Sequence, residues 1–383
     1  MQVAMMLACT AAYAGEPQER ADAAANTVLP TVTVGAMRNP VDKSYRKMLK
    51  GMDLFEEKRS MAPNASLRYK LLPRQRDTNM DGIELNIIAD TVTIPVPVAS
   101  DHTFTLERHQ NALAEDASVI PNRKVLSMTW RTEIRTPGLP PNTRRLGDLR
   151  LECHVGMEAG LISNTLPVIG QIVNFLQQMR DFCNGSDVPY LFFAERPLFS
   201  VTMVAGTRRE ILSVDGLYAG VSFGRTSKAD LAYCDCQVLL ARTYFLPLGD
   251  RSWPDDTLVE FEYMDDGNDR QAAVPPSNTI SARNARDAIT IEKSTRAEVI
   301  AALGKTTVIS FDSGFEVWVY QIKGDRVTGE TAAKASWWER FAHAGSEKGT
   351  LGKTEFVVLF APSGVVTKTR IRPAPPSSDA KRT

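Results

Sequence analysis

Gly220-Val221-Ser222-Phe223-Gly224 matches G-x-S-x-G, the pattern that lifts a serine nucleophile onto a strained turn between a strand and a helix. Such a serine needs a general base and donors for the developing oxyanion. Downstream the chain offers one imidazole, His343, and the following "RTSKADLAYC" makes a poor apolar helix. A β-turn is the simpler reading, and a periplasmic hydrolase using Ser222 or carboxylates stands as the alternative. Asp77 to Gly82, "DTNMDG", copies the first half of a calcium loop, but Ile88 occupies the position of the closing bidentate glutamate. A polar turn entering the first strand fits better. "YCDCQ" sets Cys234 and Cys236 two apart, whereas tetrahedral zinc asks for C-x₂-C or histidines at matching spacing. His102, His109 and His154 show no ligand spacing either. No catalytic, cofactor-binding or metal-ligating residue is assigned, and no cofactor is expected.

The cysteines of the body are Cys153, Cys183, Cys234 and Cys236, an even set that suits an oxidising compartment. Bridges linking 234 and 236 to 153 and 183 are expected, with buried free thiols and metal binding as the other readings. "SWWERFAHAG" presents Trp337, Trp338 and Phe341, with Trp338 and Phe341 on one helical face. Exposed, these aromatics would anchor a partner, a lipid or a sugar; folded back, they would cover their own sheet. Trp253 beside Asp255 and Asp256 suggests a sugar-binding corner or, more simply, a strand-entry turn. A groove lined by Trp130 or Trp253 would mark a carbohydrate-binding protein.

Composition sets the frame for these sites. Hydrophobic residues make up 43% and charged residues 23%, and Lys plus Arg balances Asp plus Glu at 45 each. No net field draws in nucleic acid, and no apolar run reaches the roughly 20 residues that span a bilayer as a helix. At 383 residues the chain is long enough for two or three domains. The apolar run from Val3 to Ala14 ends in Ala12-Tyr13-Ala14, a small-x-small cleavage site, although only Met1 and Gln2 precede it. Residues 1–14 are therefore expected to be a signal peptide, with lipidation at Cys9 as a second reading. Export to the periplasm or the periplasmic face of an outer membrane follows.

The elements fall in order along the chain. Residues 15–40 form a flexible lead, and a β-rich domain follows over 41–264, built as one or two subdomains. Tyr45, Met48, Met52 and Phe55 recur at helical spacing within 42–57. From Ile83, short alternating runs broken by Gly, Asp and Pro predict antiparallel, sandwich-like strands. "LGDLRLECHVGM" joins them by the alternation of Leu149, Leu151, Cys153 and Val155. A second helix is expected near 165–182, and strands resume through "TLVEFEYM". Residues 265–284 are polar and proline-bearing, as linkers are, and the tail at 374–383 reads as disordered.

Residues 285–373 specify an α+β module. Thr295-Arg296-Ala297-Glu298 is a capping box, Val299, Ile300 and Leu303 form the apolar stripe, and Gly304 stops the helix. Asp312-Ser313-Gly314 and Pro362-Ser363-Gly364 turn two hairpins. Phe315, Val317 and Val319 should face one way, with Glu316, Trp318 and Tyr320 facing the other. Thr295, Val299, Leu303, Gly304, Trp318, Tyr320, Phe360 and Gly364 together resemble the SmpA/OmlA-type module of outer-membrane assembly lipoproteins, a BLIP-like α+β fold. Lys293 and Lys305-Thr306 depart from that pattern, and an aromatic insertion separates the hairpins. The resemblance implies docking in the envelope and no catalysis. The fold class expected is thus α+β: a largely antiparallel β region with one or two helices, then a small helix-on-sheet module. The partner expected is an envelope protein or a peptidoglycan or other sugar, with the oligomeric state open.

Overall fold

The computed structural model describes residues 42–124, 127–161, 183–184, 190–223, 238–266, 289–323, 326–328 and 354–373. The signal and lead, Cys9, the helix expected near 165–182, Cys234 and Cys236, most of the linker, Trp337, Trp338, Phe341 and the tail lie outside these residues.

The chain is α+β, and its strand pairs are antiparallel among the described residues. Strand β1 (Lys43–Ser44) runs straight into helix α1 (Tyr45–Glu57), whose Ser44 cap accepts the Lys47 amide at 3.4 Å. The spacing of Tyr45, Met48 and Phe55 is realised as a buried stripe. Strands β2 (Ser66–Pro73), β3 (Leu85–Ile88), β4 (Thr93–Val96) and β5 (Thr103–Phe104) follow, then the short helix α2 (Gln110–Ala114). Strands β6 (Ser118–Pro121) and β7 (Met128–Arg135) complete two sheets ordered β1-β6-β3-β4 and β5-β2-β7. Their inner faces close over Tyr45, Met48, Tyr69, Leu71, Phe104 and Trp130.

Strand β8 (Thr143–Arg145) leads into helix α3 (Leu146–Glu158). The alternation in this segment predicts a strand, and the structure corrects it. Leu146, Leu149 and Cys153 face one apolar cluster, while Leu151 and Val155 face another on the opposite side. A helix buried on two sides spreads its apolar positions so widely that they mimic a period of two. The intervening polar residues are buried as well, and each is partnered. Asp148 accepts from the Thr136 amide and hydroxyl at 2.8 and 2.7 Å. Arg150 donates to the Leu248 and Asp250 carbonyls and to Asp255 at 2.6–2.9 Å. Cys153 bonds to Cys183. This replaces the bridges expected from 153 and 183 to 234 and 236: Cys153 lies mid-helix, inside the core that Cys183 also joins.

Strands β9 (Phe192–Phe193), β10 (Leu198–Ala205), β11 (Arg208–Ile211), β12 (Thr243–Tyr244) and β13 (Leu258–Tyr263) build a sheet ordered β11-β10-β13-β8 and a β9–β12 ribbon. The C-terminal part holds helix α4 (Arg296–Leu303) and strands β14 (Thr307–Ser310), β15 (Glu316–Lys323), β16 (Arg326–Thr328), β17 (Thr354–Phe360) and β18 (Val366–Pro373). They form a sheet ordered β14-β15-β17-β18, with β16 against β15. The capping box is present in full: Glu298 N–H donates to Thr295 Oγ1, and Thr295 N–H donates to the Glu298 carboxylate at 2.8 Å. Of the expected stripe, Val299 is buried and Leu303 half-buried, but Ile300 is 39% exposed. Residues 299 and 303 stand one turn apart on the same face, and 300 is rotated off it.

The two faces of this sheet separate as the alternation predicts. Trp318, Tyr320, Phe356, Val358 and Phe360 pack under α4 with Val299. Ile309, Val317, Val319, Val357 and Leu359 join the main apolar cluster of the β-rich region, beside Leu149, Val201 and Tyr218. The polar end of this second face is buried too. Lys368 Nζ donates to the Tyr263 carbonyl at 2.7 Å, Arg370 pairs with Glu262, and Arg372 donates to the Phe199 carbonyl. The sheet face that would dock a partner is thus covered by the chain's own β-rich region.

Candidate functional site

A cleft of about 310 Å³ opens beside β2 and β7 and is bounded by β9. Three separate features of the sequence build it. On β7, Arg131, Glu133 and Arg135 alternate with the buried Trp130, Thr132 and Ile134, so all three charges share one face. On β2, Lys70 stands opposite Arg131 and adds a cation to that face. The ribbon of β9 and β12 supplies Phe193 and, just before β12, Arg242, whose carbonyl accepts the Ala194 amide at 2.8 Å. Glu152 of α3 and Arg144 of β8 form the floor.

The charges in the cleft are largely spoken for. Arg144 donates to Glu152 and to the Ile134 carbonyl, the latter at 2.7 Å, and the Ile134 amide donates to Glu152 at 2.8 Å. Glu133 accepts from Arg135 at 2.6 Å and lies 3.9 Å from Lys70, and Arg135 also reaches Glu195 at 2.8 Å. Asp101 accepts from the Thr103 amide and hydroxyl. Arg131 lies over the Phe193 ring, 4.8 Å from its centroid, a cation–π arrangement. Arg242 differs from these. Half-buried, its guanidinium makes no hydrogen bond or ion pair among the described residues. Burial lowers its pKa below the arginine range, while Asp265 and the Tyr263 hydroxyl pull the other way.

The two glutamates nearest the floor are driven apart. Burial raises Glu152 to about 7; Arg144 opposes the shift and Glu133 adds to it. Glu133 is also desolvated, but Arg135, Arg144 and Lys70 outweigh that and hold it below the usual carboxylate range. One carboxyl therefore holds its proton towards neutrality while its neighbour stays ionised. Tyr190, packed against Phe192 at a centroid distance of 4.7 Å, is raised to about 12 by burial.

Of the residues singled out in the sequence, His102 and, from "DTNMDG", Met80 line this cleft, whereas Trp130, Trp253 and His154 do not. Ser222 follows a 3-10 turn at Val214–Gly216 and a kink at Ala219 and Gly220, both with positive φ, so the strand that a nucleophile elbow requires is missing before it. In "DTNMDG" the Arg123 guanidinium donates to the Asn79 and Asp81 carbonyls, and the Asp81 amide donates to Asn79 Oδ1 at 2.8 Å. An arginine latch thus braces this turn, and the Asn79 side-chain oxygen, which a calcium loop would turn to the ion, is taken by the Asp81 amide. Trp130 and Trp253 are 1% and 2% exposed, so neither forms the wall of a sugar-binding groove. Trp253 is buried under Arg208, whose guanidinium carbon sits 3.6 Å from the ring centroid. His154, next to the disulfide, is lowered to about 4 by burial and by Lys58 and Arg251.

The cleft residues were legible only in part. "WRTEIR" shows charges at alternate positions of a strand whose other face carries Trp130, Thr132 and Ile134, a signal that the charged face lies outside the apolar core. Nothing local marks Glu152 or Arg242, because helix α3 reads as a strand and Arg242 lies in an irregular segment. No family model, curated protein or solved structure matches the chain.

Proposed function

We propose that this chain is an exported, non-enzymatic binding or structural protein of the bacterial cell envelope, acting in outer-membrane maintenance or assembly, with the charged cleft as its ligand site. The observation that carries this reading is the Cys153–Cys183 bond. Disulfides persist in oxidising compartments and are rare in reducing ones. This one anchors α3, the helix that sets Glu152 in the cleft floor. The apolar run ending at Ala12-Tyr13-Ala14 supports export independently.

The resemblance of the C-terminal part to the SmpA/OmlA-type module rests on the capping box, the Gly304 stop and the two hairpins. Docking through the broad faces of its sheet is not available, since one is covered by α4 and the other by the β-rich region. The binding role therefore moves to the cleft and to the insertion bearing Trp337, Trp338 and Phe341.

The test is expression of the full chain in a Gram-negative host, followed by fractionation and intact-mass measurement after alkylation without reductant. Cleavage after Ala14 or a lipid on Cys9, with Cys153 and Cys183 resistant to alkylation, is expected in the envelope fraction. A cytoplasmic chain that keeps Met1 and alkylates at both cysteines overturns the reading.

A further inference from the structure

Resting on the cleft as the ligand site, we infer that it takes a small amphipathic monocarboxylate, whose carboxylate pairs with the Arg242 guanidinium while its apolar part lies against Phe193, Leu72 and Met80. The charge inventory points there first. The lining carries five Lys or Arg side chains and four carboxyl groups, so positive charge is in excess by at least one. Each carboxylate already has a partner: Glu133 and Glu195 with Arg135, Glu152 with Arg144, and Asp101 with Thr103. Arg242 is the cation whose side chain has none among the described residues. The carboxylate that acts on it most strongly, Asp265, is itself held by Arg196 at 2.9 Å.

A half-buried guanidinium without a partner costs desolvation energy that a ligand anion would offset. The planar fork of arginine matches a carboxylate through two parallel N–H···O bonds. A dianion such as phosphate fits less well, because acidic side chains line the same space and all the cations but Arg242 are already engaged. The apolar requirement comes from the rest of the lining. Leu72, Met80, Leu191 and Phe193 are only partly buried and face this cleft. At about 310 Å³ the space is at the small end of ligand pockets.

Two sources offer this chemistry, an acyl chain and a peptide C-terminus, and the probes separate them. Binding of sodium octanoate, octanamide, N-acetylphenylalanine, N-acetylphenylalaninamide and inorganic phosphate to the purified full chain is measured by calorimetry. At least one carboxylate should bind about tenfold or more tightly than its amide, the worth of a charge-assisted bond. Preference for octanoate assigns an acyl ligand, and preference for N-acetylphenylalanine assigns a peptide terminus. Arg242→Met should abolish the carboxylate preference, and Arg242→Lys should retain part of it. Arg209→Met, on a surface away from the cleft, should leave it unchanged. Equal binding of acid and amide, phosphate binding more tightly than both acids, or an Arg242→Met protein of unaltered circular dichroism that binds as the parent does, overturns the inference. Localisation does not enter this measurement. An exported chain without carboxylate preference thus defeats the ligand class alone, and a cytoplasmic chain with it defeats the envelope reading alone.

Discussion

Glu355 and Arg372 stand opposite each other across the last hairpin, on the face turned toward the β-rich region, and are 0% and 1% exposed. Glu355 accepts from the Val214 amide at 3.3 Å and from Gln321 Nε2 at 3.1 Å. Arg372 donates to the Phe199 carbonyl and lies over the Phe199 ring, 5.1 Å from its centroid. One carboxylate and one guanidinium are thus sealed into the contact between the C-terminal sheet and the rest of the chain. Charges so placed bring specificity at a cost in desolvation.

That placement makes stability depend on pH at a known residue. Burial, with the Asp215 carboxylate nearby, raises Glu355 from 4.5 to about 7, against the pull of the Val214 amide, Gln321 and Arg372. A carboxyl whose folded pKa is raised stabilises fully below its unfolded value and loses that contribution as pH climbs through the folded one. Glu152 acts in the same direction, whereas His154, lowered to about 4, contributes stability above 6.5 that is lost as pH falls towards 4. The Glu355 share is therefore read by difference. Between pH 5 and pH 8 the melting temperature of the parent should fall relative to that of Glu355→Gln, which keeps the acceptor oxygen and cannot ionise. Differential scanning calorimetry at several pH values checks this, and parallel curves for the two proteins would refute it.

The disulfide yields a second expectation. Cys153 and Cys183 are 30 residues apart in sequence and both are buried in the main cluster. Cys153→Ser opens that loop in the unfolded chain and places a hydroxyl among apolar side chains. A loss of about 2–4 kcal/mol is expected, measured as a lower urea midpoint. Reductant should lower the midpoint of the parent and leave that of the variant in place.

Helix α4 offers a third. Thr295→Ala removes the acceptor for the Glu298 amide, and Glu298→Ala removes the acceptor for the Thr295 amide. Each should cost about 1 kcal/mol. Because both belong to one reciprocal cap, the double variant should cost less than the two losses combined. Hydrogen exchange at the amides of Arg296–Leu303 reports the loss locally, and strictly additive costs would argue against a shared cap.

What could be read from the sequence follows the physics of each segment. The α4 helix and both hairpins of the C-terminal sheet were legible because their signals are local: a Thr-x-x-Glu box, glycines with φ near 82° at 304 and 314, and strict alternation on β15. Helix α3 was not, since its periodicity is set by burial on two sides, which only tertiary packing reveals. The cleft suffered similarly. Arg131, Glu133 and Arg135 announce a charged strand face, but their meeting with Arg242 depends on the β9–β12 ribbon, whose two-residue strands carry almost no pattern. The bonding of Cys153 to Cys183 also required knowing that Cys153 is helical and interior.

The sharpest test of that buried helix is Gly147. A methyl group there would meet the Met61 carbonyl oxygen at 2.2 Å and the Asp255 carbonyl oxygen at 2.9 Å, both backbone atoms. The Gly147 amide also donates to that same Asp255 oxygen at 2.8 Å, so the approach is fixed from both sides. Within a helix, glycine to alanine ordinarily gains about 1 kcal/mol. Here overpacking against backbone should exceed that gain, with a net loss of about 2 kcal/mol for Gly147→Ala. Arg150, one turn on, bonds Asp255 and the Asp250 carbonyl, so the displaced segment would loosen these contacts as well. Urea unfolding measures the loss. A stabilised Gly147→Ala protein would mean that the first turn of α3 stands further from the Met61 and Asp255 backbones than this packing requires.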